Sequence, residues 1–207
     1  DGAPVDGALM RAMANAASHL GRDGLSTRVD ANAGFAHLAF HTTPQSAFER
    51  QPSDYVDGRY TLLADARIDN REDLIPQLFP GLTPADRQNF PDTDLIFAAY
   101  MKWGSNCPGQ LLGDFAFVVW DPRSKKMFCG RDHSGMRQLY YHHQQGKQFV
   151  FATDARAILV LPQVPYRINE GRIADFIVGA LEWIDYTSTF FEDVFRLPPG
   201  HRAIVTR

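Results

Sequence analysis

Three groups of residues in this chain have types and spacings that chemistry can use. The first is acidic: Asp65-Ala66-Arg67-Ile68-Asp69-Asn70, with Asp73 four residues beyond Asp69, and then Asp92-Thr93-Asp94. The second holds the imidazoles His37, His41, His142 and His143, with His133 beside Arg131-Asp132. The third is a pair of thiols, Cys107 and Cys129. Asp65, Asp69 and Asp73 invite a calcium reading. Such a loop needs Asp or Asn at its third position and Gly at its sixth, where Arg67 and Asn70 stand. His142 and His143 are neighbours on a strand and point to opposite faces, so they cannot chelate one ion. His37 and His41 share a face but lie about 13 Å apart at the rise of a strand. No metal site is expected from these patterns.

The elements that must position these residues can be read from periodicity and capping. Ala8 to Leu20 has helical spacing, with Asp6 as N-cap and Gly21 as stop. Leu25 to Asp30 and Gly34 to His41 read as strands, and Thr43 to Tyr55 as a long loop or weak strand. Arg59 to Ala66 reads as a strand entering a buried site. A short helix runs from Asn70 through Leu78, its first turn carrying Glu72 and Asp73 toward the positive helix end. Asp92-Thr93-Asp94 caps a helix that runs to about Trp103 and stops at Gly104. Four strands fall between Gly113 and Thr153, with turns at Asp121-Pro122 and Gln144-Gln145-Gly146. Asp154 caps a helix from Ala155 to Leu161. Asn169 caps another with Arg172, Ile173, Phe176 and Ile177 on one side. Leu197-Pro198-Pro199-Gly200 turns the chain into a last strand, His201 to Thr206. Hairpins dominate over βαβ alternation, which argues α+β: antiparallel sheets covered by helices.

At 207 residues, 44% hydrophobic and 22% charged, the chain is expected to form a single globular domain over residues 1–207. A net charge of −3 with scattered Lys and Arg gives no footprint for nucleic acid. No apolar run is long enough for a membrane-spanning helix. Two cysteines and no signal peptide place it in a reducing cytoplasm. The chain begins at Asp1 and ends on a strand-like segment, so it is expected to be part of a longer protein.

The run Gly113-Asp114-Phe115-Ala116-Phe117-Val118-Val119-Trp120-Asp121, then Met127-Phe128-Cys129-Gly130 and Arg131-Asp132-His133-Ser134-Gly135-Met136-Arg137-Gln138-Leu139-Tyr140-Tyr141, resembles the glutaminase domain of the asparagine synthetase family. Other motifs follow in the family's order: His19-Leu20-Gly21-Arg22-Asp23-Gly24, Asp92-Thr93-Asp94 with Trp103-Gly104, and Leu197-Pro198-Pro199-Gly200-His201. The resemblance implies a four-layer αββα sandwich of two antiparallel sheets, the N-terminal-nucleophile hydrolase or class II glutamine amidotransferase fold. It also implies a downstream synthetase domain that uses ATP and Mg, with no cofactor in this domain. By the same resemblance, Arg131-Asp132 is a packing motif and is expected to form an ion pair.

The resemblance also implies where glutamine chemistry would sit, and those positions do not match. The family's nucleophile is an N-terminal cysteine whose own amine is the base. Asp1 cannot replace it, and it aligns after the family's first strand, which is expected to be missing. Cys107, in a turn, and Cys129, on a strand, cannot substitute. The family's oxyanion motif Asn-Gly falls on Asp65-Ala66, where an ionised carboxylate only accepts hydrogen bonds. Losing one such donor costs about 10²–10³ in rate. Ala39 stands where an arginine would hold the substrate carboxylate. Arg67 stands where a glutamate would hold the ammonium group, and Asp92 alone is retained. The expected catalytic set is therefore empty, and Ala39, Asp65, Ala66, Arg67 and Asp92 form a degenerate glutamine pocket. Buried charges there need compensation, so Arg67 is expected to pair with Asp65 or with Asp92, and Arg67→Ala to destabilise the fold.

Ala66-Arg67-Ile68-Asp69-Asn70-Arg71 resembles the form seen in lasso-peptide cyclases. In these, as in β-lactam and carbapenam synthetases, the amine comes from the substrate and no ammonia is needed. The expected role is then structural support within an ATP-dependent amide-forming enzyme. Its partners would be the downstream domain, a peptide or small amine-bearing substrate, and a second copy in a homodimer. Two alternatives stand beside it: a functional glutaminase whose cysteine lies upstream of Asp1, and a peptide-binding module.

Overall fold

A computed structural model describes residues 2–179, 181 and 184–206. Asp1, the position compared with the nucleophile, lies outside the described residues. The architecture is α+β, with every strand pairing antiparallel. The first helix is α1, Gly7–Ala16. It is followed by the hairpin β1, Gly24–Asp30, and β2, Ala33–Ala39. Next come β3, Ser53–Tyr55, β4, Tyr60–Ile68, and three helices: α2, Arg71–Leu78, α3, Pro84–Arg87, and α4, Asp92–Trp103. Two hairpins follow, β5, Gly113–Asp121, with β6, Lys126–Arg131, and β7, Tyr140–Gln144, with β8, Gln148–Ala152. Helices α5, Ala155–Leu159, and α6, Glu170–Val178, precede β9, Phe195–Arg196, and β10, Arg202–Thr206.

The strands form a five-stranded sheet in the order β10-β6-β5-β4-β3, a three-stranded sheet β8-β7-β9, and the separate β1-β2 ladder. Alternation along β4 and β5 explains the layering, since successive side chains face opposite ways. Leu62, Ala64, Ile68, Phe115, Phe117 and Val119 face outward onto α2 and α4, with Leu74, Ile75, Leu95 and Ile96. The opposite, inner face is covered twice. Ala116, Val118 and Cys129 pack with Leu139, Phe149 and Phe151 of the three-stranded side. Leu63 and Trp120 pack with Ala33 and Phe35 of β2. Leu9 and Met13 of α1 close the far side together with Ile158, Leu161, Val150 and Ala152. The order is helices, sheet, sheet, helices, with the second sheet layer divided into two ladders.

The strand and helix ends hold small corrections. Ala8 to Leu20 is not one helix: α1 ends at Ala16 and Ser18–Leu20 is a tight 3₁₀ turn. Asp6 does cap α1, accepting from the Ala8 N–H at 2.7 Å. β2 stops at Ala39 rather than His41, and α5 stops at Leu159 rather than Leu161. β9, only two residues long, gave no periodic signal. Asp92 is the first helical residue of α4, not its cap, which is Pro91. The first-turn N–H groups of Asp92 and Thr93 are accepted instead by Glu49, at 2.9 and 3.2 Å. A carboxylate brought from 43 residues away does the capping that a local side chain was expected to do. Among the described residues no helix is long and apolar enough to cross a membrane.

Candidate functional site

The inner face of β4 changes character along its length. Leu63 is core, and then come Asp65 and Arg67, which share its face. Across the ladder the register sets Leu63 opposite Val118, Asp65 opposite Ala116 and Arg67 opposite Asp114. The interior between the sheets therefore passes from apolar to charged toward one end. Gly113 makes the tight start of β5 there possible. Its φ is +136°, and a Cβ would lie 2.0 Å from the Arg67 carbonyl oxygen.

Arg67 does not pair with Asp65 or Asp92. Its Nε lies 2.9 Å from Asp69 Oδ1, and its Nη2 lies 3.3 Å from Asp114 Oδ2. The alternation of strand and turn explains this. Asp69 lies just beyond β4, and Asp114 is the cross-strand neighbour. The Arg67 side chain keeps 48% of its surface exposed, so it sits at a rim rather than in a buried hole. Asp65 pairs instead with Arg137, at 3.3 Å from its Nε. Partial desolvation against the inner face raises the Asp65 carboxyl. Arg137 opposes that rise and Asp114 adds to it.

Arg137 arrives on the loop that follows β6, and the packing of that loop corrects another expectation. Arg131 and Asp132 do not bond each other. The Arg131 guanidinium donates to the carbonyls of Arg137 and Gly135, each at 2.6 Å, and to that of Leu197. Asp132 accepts from the N–H groups of Phe115, Met136 and Arg137 at 3.2, 3.0 and 3.1 Å, and from Ser134 Oγ at 2.9 Å. Burial alone would raise the Asp132 carboxyl. The hydrogen bonds from Arg137, Met136, Ser134 and Phe115 outweigh it and hold the group below the ordinary carboxylate range. The loop is thus fixed from within and presents Arg137 to Asp65.

Asp92 is buried and engaged. It accepts from the Ile68 N–H at 3.2 Å and pairs with Arg71, which also donates to the Phe90 carbonyl. Burial pushes this carboxyl up while Arg71 and the Ile68 N–H pull it back. Behind it, Gln51 binds β4 as a peptide group would. Its Nε2 donates to the Ala64 carbonyl at 2.8 Å and its Oε1 accepts from the Ala64 N–H at 2.6 Å. Gln51 Nε2 also lies 3.2 Å from Glu49, whose carboxyl is raised by burial. Ser26 Oγ donates to the Gln51 carbonyl and ties the β1-β2 ladder into this belt.

Ala39 ends β2 on the same face as Phe35 and His37, and offers a methyl group there. Ala66 faces the opposite way, toward the α2–α4 core beside Phe115. Burial, with a smaller contribution from His41, lowers His37 to about 4, so this imidazole is neutral at ordinary pH. Cys107 and Cys129 are both fully buried, and burial pushes each thiol up to about 12. Neither is poised as a nucleophile. Among the described residues no three His, Cys, Asp or Glu side chains gather to hold an ion.

Sequence reasoning missed Glu49, Gln51, Arg71, Asp114 and Arg137. Asp114 becomes Arg67's partner only once the register is known. Glu49 and Gln51 lie in a stretch read as loop. Arg71 offered a signal, since an arginine opening a helix opposes the helix dipole and needs a local carboxylate.

This strand-and-loop end has relatives. Residues 3–207 match the family profile of a glutamine amidotransferase domain, and the chain belongs to that family. It is 30% identical to asparagine synthetase (glutamine-hydrolyzing) 3 of Bacillus subtilis (strain 168), over 73% of this chain and 24% of that protein. It is 32% identical to amidase chry2 of Gibberella zeae, over 83% of this chain and 24% of that protein. The chain thus spans about a quarter of the length of these curated relatives. Among solved structures, glutamine phosphoribosylpyrophosphate amidotransferase from B. subtilis superposes with a TM-score of 0.65 at 15% identity, over 99% of this chain and 46% of that one. That likeness establishes the fold, that of the N-terminal-nucleophile hydrolase amidotransferases.

Proposed function

We propose that this chain is the glutaminase-like N-terminal part of a longer, asparagine-synthetase-type enzyme that forms amides with ATP, and that it no longer binds or hydrolyses glutamine. The observation that carries the reading is the pairing of Asp65 with Arg137 at 3.3 Å, on the strand end where glutamine would be held. An oxyanion needs a donor at that end, and Asp65 places an acceptor there that is already partnered. Three further features support it. Arg67 carries the charge of the substrate ammonium it would have to bind. Ala39 cannot hold a carboxylate. Asp92 spends its lone pairs on Arg71 and the Ile68 N–H. The domain's role is then to support the synthetase half, which would hold ATP and Mg. The acceptor would be a peptide or small molecule carrying its own amine, as in the lasso-peptide cyclases that Ala66 to Arg71 resemble.

A second reading has one observation in its favour: the Bacillus subtilis relative is named as glutamine-hydrolyzing. On that reading the longer protein releases glutamate from glutamine and feeds ammonia forward. Glutamate release by the full-length protein, with and without ATP, separates the two. Release at background supports the loss of glutaminase chemistry, and turnover supports the second reading.

A further inference from the structure

Helix α6 is packed against the logic of its own sequence. Arg172, in its first turn, keeps only 5% of its surface, while Ile177 is 76% exposed and Phe176 and Val178 are more than half exposed. A water-facing helix should do the reverse, burying its apolar stripe and exposing its charge. The helix is nonetheless firmly held. Asn169 caps it by accepting the Arg172 N–H at 3.0 Å, and donates its own N–H to the Phe190 carbonyl at 2.9 Å. Ile168 bridges Phe191, and Gly179, at φ +68°, ends the helix. The exposed rings join the same face. Phe176 meets Phe190 edge-on, with centroids 5.4 Å apart, and Tyr166, 70% exposed, leans on Phe191. An anchored surface holding Tyr166, Ile168, Phe176, Ile177, Val178 and Phe190 together is more apolar than a protein that works alone keeps facing water.

We propose that this face is the docking surface for the polypeptide that follows residue 207 in the natural protein. The inference rests on the reading of this chain as one part of a longer enzyme. Length argues for that occupant. The chain accounts for 24% of two relatives, so about three quarters of such a protein is available to cover the face. Chemistry argues the same way. The exposed positions are aliphatic and aromatic with no charge among them, which suits a permanent contact rather than a transient one. A covalently linked partner covers such a face at any protein concentration, whereas a second copy leaves it bare on dilution.

Maleimide labelling of the full-length protein tests this, because Cys107 and Cys129 are buried with thiols raised to about 12 and contribute little background. Ile177→Cys is compared with Ser124→Cys, in the exposed turn after β5, and labelling is read on the peptide carrying each residue. At a dilution where light scattering gives a monomer, position 177 should react at least about tenfold more slowly than position 124, the mark of a contact that must open first. Equal rates would overturn the proposal. So would protection that vanishes on dilution, since a second copy would then be the cover. Should Ile177→Cys fail to fold, hydroxyl-radical footprinting of the unmodified protein reads the same face. Tyr166 and Phe176 should be oxidised far more slowly than exposed Met136, and equal oxidation overturns the proposal. Failure of the parent reading looks different. A natural chain ending near residue 207 removes both readings together, whereas glutamate release removes only the loss of glutaminase activity.

Discussion

Arginine and aspartate build two neighbouring regions of this domain in opposite ways. In the loop after β6, Asp132 is completely buried and Arg131 nearly so, and both spend their hydrogen bonds on backbone. At the end of β4, Asp65, Arg67, Asp69 and Asp114 are partly or largely exposed, and their partners are other charged side chains. The first region behaves as a fixed support. The second is a surface of mutually compensated charge where the family places glutamine. A buried carboxylate that satisfies several N–H groups cannot be replaced without orphaning them, whereas an exposed ion pair trades one weak partner for water.

Mutations should widen this contrast. Asp132→Ala has the largest expected effect. It strands three backbone N–H groups and should cost roughly 3–5 kcal/mol in chemical denaturation. A loss below 1 kcal/mol would mean the loop is not fixed from within. Arg71→Ala comes next, leaving buried Asp92 without its cation. The expected cost is about 3 kcal/mol, softened because a raised carboxyl can take up a proton. Asp65→Asn should stay within about 1 kcal/mol of the parent at neutral pH.

The sign with pH separates the two carboxylates. Asp132 sits below its unfolded value, so its contribution is present above the ordinary carboxylate range and is lost as pH falls through the folded value. Asp65 sits above its unfolded value, so its contribution favours folding at acid pH and is lost as pH rises through the raised value. In mildly acidic buffer the parent should therefore gain on Asp65→Asn, and parallel pH curves would contradict this. Arg67→Ala should leave the melting temperature unchanged, since its side chain lies at an open rim. A clear drop would restore the buried compensation that the sequence suggested.

What was legible in the sequence was the framework. The alternation of β4 and β5, the capping of α1 by Asp6, and the hairpins from Gly113 to Thr153 follow from local chemistry, and local chemistry is written in local order. The pocket positions were also found, because each lies at a strand end or helix start. Their partners were not. Arg137 reaches Asp65 across 72 residues, Glu49 caps a helix 43 residues away, and Asp114 depends on the ladder register. Long-range pairing is chosen by the folded geometry, and opposite charges close in sequence, such as Asp65 and Arg67, are held apart by it. The same limit hid α6, whose capping signal is plain but whose apolar face points away from the core.

The most direct test of the central claim is binding rather than turnover: equilibrium dialysis of labelled glutamine against the full-length protein. The account predicts no saturable retention, because the positions for the substrate's carboxylate, ammonium and oxyanion hold a methyl group, a cation and a partnered anion. Saturable binding that Asp92→Asn abolishes would contradict it and place a working glutamine pocket at the end of β4.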